Sequence, residues 1–123
     1  MNAARALGVA GLALALATLC GAFGAHTLRG TLAPERLALW ETAVRYQFFQ
    51  SLGLLGVAVT LRSLESGPLR LAALLLAVGM VLFCGSLYAL ALGAPRLTGI
   101  VTPFGGLAWI AAWVLFAYGA WRH

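Results

Sequence analysis

The chain has 123 residues, 63% of them hydrophobic and only 9% charged, with a mean hydropathy of +0.97. Soluble domains are about 45–50% apolar with roughly a quarter of residues charged, so an ordinary water-soluble domain is excluded and the surface must face lipid. The net charge of +5 comes from eight arginines, with no lysine, against three acids. The arginines stand singly near the ends of apolar runs, where they reach phosphate headgroups, and they form no basic patch that would make nucleic acid a partner.

Four apolar stretches follow one another at about 6–25, 43–62, 69–92 and 100–121. Each reaches the roughly 20 residues that cross a ~30 Å hydrocarbon layer as a helix. The alternation expected of membrane strands is missing. The expected fold is all-α: one domain, 1–123, an integral membrane bundle of four transmembrane helices. The first run, behind Arg5 and ending in small residues, has some features of a signal peptide. Its length favours a retained helix, in which Gly8, Ala15 and Ala22 form a narrow small-residue face carrying His26 toward the bundle.

The second helix is expected over 34–63, beginning with Pro34 at its first position and Glu35 in its positively polarised first turn. At 1.5 Å per residue it is roughly 45 Å long, so its N-terminal turns lie in the interface, with Leu37, Trp40, Val44 and Phe48 along one side. Glu41 and Arg45 are spaced i,i+4 with the acid first, the favourable order for a helical ion pair. Two readings stand: an interfacial pair fixing depth, or a bundle-facing pair partnered by His26 or Tyr88.

The third helix is expected over 69–92, with Gly79 and Ser86 on a small face. The fourth is expected over 100–121, with Thr98, Thr102 and Gly106 spaced likewise and Gly105 beside them. Thr102-Pro103 reads either as a kink in a helix from about 98 or as an N-cap and first residue. Cys20 and Cys84 lie in apolar runs and read as small hydrophobes.

Four crossings put both termini on one side. Arg5, Arg62, Arg70 and Arg122 flank that side; Arg29, Arg36, Arg45 and Arg96 flank the other. The positive-inside rule is balanced by this count, and the terminal amine tips the termini toward the cytoplasm of a bacterial plasma (inner) membrane. The side opposite the termini gathers His26, Glu41, Arg45, Tyr46, Gln47, Ser86, Tyr88 and Thr102, a candidate polar cluster for a ligand or headgroup.

Taken in order, Gly21-Ala22-Phe23-Gly24-Ala25-His26, Pro34-Glu35, Glu41-Thr42-Ala43-Val44-Arg45-Tyr46-Gln47, Gly85-Ser86-Leu87-Tyr88 and Thr102-Pro103-Phe104-Gly105-Gly106 resemble the domain of unknown function 423 family. That family is related to the transmembrane protein 256 group. The resemblance spans nearly the whole chain and implies a small multi-helix membrane protein without an assigned chemistry. Ala33 departs from the pattern, standing where a Ser or Thr cap is expected.

Three functions compete. A transporter or channel places polar groups near the midplane, but Leu16, Leu52, Met80 and Ala111 there are all apolar, and four helices would need an oligomer to enclose a path. An enzyme would need more than His26 and Glu41 as a base and its partner; no catalytic motif, metal site or cofactor is expected. The reading that remains is a structural or interaction bundle associated with lipid, with copies of itself or with a larger membrane complex. Arg29, Arg36 and Arg45 are then the candidate phosphate contacts.

Overall fold

Asn2 starts the first helix: its side chain accepts the Arg5 amide at 2.8 Å, satisfying one of the N–H groups a helix start leaves free. In the computed structural model, which describes residues 1–123, α1 then runs Ala3–His26. A short 3₁₀ turn, Leu28–Gly30, leads to α2, Pro34–Ser63. Ala33 gives that start no side-chain cap; its backbone carbonyl accepts the Arg36 and Leu37 amides instead. Ser66 caps α3, Gly67–Ala91, by accepting the Leu69 amide at 3.2 Å. Gly93, with φ +108°, turns the chain beyond the end of α3, a conformation that costs a glycine little.

A 3₁₀ segment, Arg96–Ile100, passes directly into α4, Val101–Trp121. Pro103 therefore sits in the first turn of α4, neither a mid-helix kink nor the first helical residue.

The four helices pack antiparallel in sequence order, with α2 and α3 central, α1 against α2, and α4 against α3. Fully buried Leu54, Leu76, Ala73 and Ala112 fill the middle of the bundle. By length and composition α1, α3 and α4 are each apolar enough to cross a membrane. The expectation that all four runs would qualify alone meets an exception in α2, which carries Gln47, Gln50 and Ser51 in its middle. All three are turned onto other helices: Gln47 bonds to the α1 backbone, Gln50 accepts from Trp113, and Ser51 donates to the Met80 sulfur at 3.2 Å. Packed between α1 and α3, α2 crosses the same layer with its polar groups satisfied by protein, as a lipid solvent requires.

The face that α1 turns inward differs from the expected one. Ala6, Ala10, Ala17 and Gly24 are buried, whereas Gly8, Ala15 and Ala22 are exposed and a Cβ on Gly8 would meet nothing within 4 Å. Two small-residue faces coexist on this helix, and α2 takes the one onto which its tryptophan fits.

Three tryptophans each rest on a glycine of a neighbouring helix. A Cβ on Gly24 would come within 2.7 Å of the Trp40 ring, and one on Gly53 within 2.7 Å of Trp113 Cη2. Gly79 has no room for a side chain beneath Trp109. Without a Cβ the indole lies against the backbone, and two of the three then reach a carbonyl there. Trp40 Nε1 donates to the Cys20 carbonyl at 2.8 Å, and Trp109 Nε1 to the Leu76 carbonyl at 3.2 Å. Trp40 is accordingly 6% exposed. On the side of α2 expected to lie in the interface, Trp40 packs among Leu28, Ala91 and Tyr88.

Candidate functional site

The polar residues expected to converge at the end opposite the termini divide into two groups. The inner group ties helices together. Gln47 is the hub: its Nε2 donates to the Ala13 carbonyl of α1 at 2.8 Å, and its Oε1 accepts the Tyr88 hydroxyl of α3 at 2.6 Å. On the α3–α4 seam Ser86 Oγ donates to the Phe83 carbonyl at 2.9 Å. Its single proton is thereby used, so in the short contact between the Ser86 and Thr102 hydroxyls Thr102 is the donor. No buried side-chain nitrogen or oxygen lacks a partner.

The outer group, His26, Glu41, Arg45 and Tyr46, is exposed. Glu41 and Arg45 are both exposed, and no ion pair forms between them or with His26 or Tyr88; the only salt bridge joins Glu65 and Arg70 at 2.7 Å, in the connection from α2 to α3. The geometry explains this, because Tyr88 is turned to Gln47 and His26 ends α1 exposed. Tyr46, 37% exposed, makes an aromatic contact rather than a polar one, stacking on Trp109 at 6.0 Å and 15°. Of the residues placed in helix packing, Gly79 and Gly105 lie in the α3–α4 seam, while Gly106 has open space beside it.

Glu41 and Arg45 line a groove of about 280 Å³ on the α1–α2 seam, together with Arg29 from the 3₁₀ turn. Gly21 and Gly24 form its α1 wall, and Trp40 and Val44 complete the α2 side. Arg29, expected with Arg45 on this side as a candidate phosphate contact, is carried to the groove by the 3₁₀ turn. A second groove of about 400 Å³ opens between α1 and α3 over Gln47, with Leu12, Leu16 and Val81 among its apolar walls. Three or more His, Cys, Asp or Glu side chains positioned to hold a metal do not occur together, and Cys20 and Cys84 are free thiols.

The family model described as "Protein of unknown function (DUF423)" matches residues 20–106. The UPF0382 membrane protein SH2409 of Staphylococcus haemolyticus is 42% identical over 102 residues, covering 83% of each chain. The UPF0382 inner membrane protein YgdD of Escherichia coli K12 is 43% identical over 102 residues, 83% of this chain and 78% of its own. The UPF0382 membrane protein YwdK of Bacillus subtilis is 38% identical over 109 residues, covering 88% and 89%. No solved structure matches the chain.

Proposed function

This chain belongs to the DUF423 family of membrane proteins, and from that premise we propose that it is a lipid-associated structural bundle of the bacterial inner membrane that holds a phospholipid headgroup at one rim. The observation that carries this reading is the groove on the α1–α2 seam. Two guanidinium groups, Arg29 and Arg45, line it with no protein partner, at the end of the bundle where headgroups lie. Guanidinium groups bind phosphate by paired, charge-assisted hydrogen bonds.

The middle of the bundle supports a binding role over conduction through a single copy, since Leu54, Leu76 and Ala112 are fully buried there. Catalysis finds no support in a polar network whose bonds are spent within and between helices. In this reading both termini face the cytoplasm and the groove opens to the opposite leaflet. Exposed faces remain for self-association or a larger membrane complex.

The test is native mass spectrometry of the protein extracted with its own lipid, compared with the double variant Arg29→Ala/Arg45→Ala. The expected result is retained phospholipid on the parent and its loss from the variant at an unchanged melting temperature. Equal lipid retention by both proteins overturns the reading.

A further inference from the structure

Glu41 is the residue that a simple phosphate site does not explain. The chain has three acids. Glu65 is paired with Arg70, and Glu35 stands in the first turn of α2, where the helix dipole favours a negative charge. Glu41 has neither support: it is past the first turn, exposed, and without an ion-pair or hydrogen-bond partner anywhere in the protein. Arg45, one turn along the same helix, is the partner that i,i+4 spacing offers, yet the two do not pair. Both instead line the groove that Arg29 closes from the other side. The groove therefore presents a carboxylate and guanidinium groups separately, with Glu41 and Arg45 about 6 Å apart along the α2 axis.

Resting on the headgroup reading above, we propose that this groove selects an amine-bearing zwitterionic phospholipid, of the phosphatidylethanolamine class, over a purely anionic one such as phosphatidylglycerol. The phosphate meets Arg29 and Arg45, and the ammonium, joined to it by a short ethylene bridge, meets Glu41. An anionic headgroup without an amine satisfies the guanidinium groups equally well but leaves Glu41 with no counter-charge. Glu41 is thus the specificity-determining residue, and the arginines supply the affinity common to both lipids.

The experiment exchanges the purified protein into mixed micelles holding equal amounts of phosphatidylethanolamine and phosphatidylglycerol, and counts each bound lipid by native mass spectrometry. An exposed ion pair is worth up to about 1 kcal/mol, so the parent should prefer phosphatidylethanolamine roughly three- to fivefold. Glu41→Gln, of the same shape and on the surface, should abolish that preference by lowering bound phosphatidylethanolamine toward the level of phosphatidylglycerol, with bound phosphatidylglycerol not reduced and the melting temperature unchanged. A parent that binds both lipids equally or prefers phosphatidylglycerol overturns the selectivity and leaves the headgroup site standing, as does a Glu41→Gln variant that keeps the preference. A parent that retains neither lipid overturns the headgroup site itself, and the selectivity with it.

Discussion

Between α3 and α4 the backbones nearly touch. A Cβ on Gly105 would lie 2.7 Å from Phe83 Cβ and 2.8 Å from the Gly79 carbonyl oxygen, and the rings of Phe83 and Trp109 close over the contact at 4.6 Å. Between α1 and α2 the separation is set by alanines, and the helices are joined by side chains donating to α1 carbonyls: Trp40 to Cys20 and Gln47 to Ala13. Both seams carry directed hydrogen bonds, Trp109 to the Leu76 carbonyl and Thr102 to Ser86 on the first, and only the first adds a near-contact of the two backbones. In lipid neither can rely on water to drive helices together, so close packing and polar contacts divide the task. The seam that carries the charged groove is the one without that backbone contact.

This contrast can be broken from either side. Gly105→Leu should have the largest effect: overfilling a site bounded by backbone costs about 3 kcal/mol or more. A large fall in the melting temperature, followed by circular dichroism in detergent, is expected; a variant that melts like the parent would mean that the α3–α4 contact is looser than described. Gln47→Leu removes the hub that joins α1, α2 and α3 and leaves the Tyr88 hydroxyl without its acceptor, a loss of about 1–2 kcal/mol. The melting temperature should fall moderately. A greater susceptibility of the 27–33 connection to limited proteolysis would locate the damage on the α1 side.

The smallest effect sharpens the assignment of faces. Ala15→Leu adds bulk to the exposed side of α1 and should change stability by no more than about 0.5 kcal/mol. A marked destabilisation would return Gly8, Ala15 and Ala22 to the packed side.

The reasons why some of this is legible in the sequence and some is not are physical. Helix positions follow from local chemistry: Pro34 and Glu35 mark the start of α2, and Gly67-Pro68 the break before α3. The rotation of each helix about its axis does not. In water, an inward face is recognised as the apolar stripe on a polar cylinder; in a bilayer the core and the solvent are equally apolar. Gly8-Ala15-Ala22 and Ala10-Ala17-Gly24 are both narrow small-residue faces, and only Trp40, on another helix, distinguishes them. The same loss of contrast hides from the sequence that Trp40 faces the α1–α2 seam, where its indole is bonded. Gln47 and Tyr88 stand out as cluster members because polar groups are scarce there, whereas nothing local marks Gln50, whose partner Trp113 lies 63 residues away.

That last separation bears on how the protein is made. A growing chain delivers α2 to the membrane long before the indole that Gln50 needs, by about 3–13 s at 5–20 residues per second. Until α4 arrives, α2 carries an amide whose final partner has not been synthesised. Insertion of the second helix is therefore provisional, dependent on water, lipid headgroups or the insertion machinery to shelter Gln50, and becomes final only when the last helix docks.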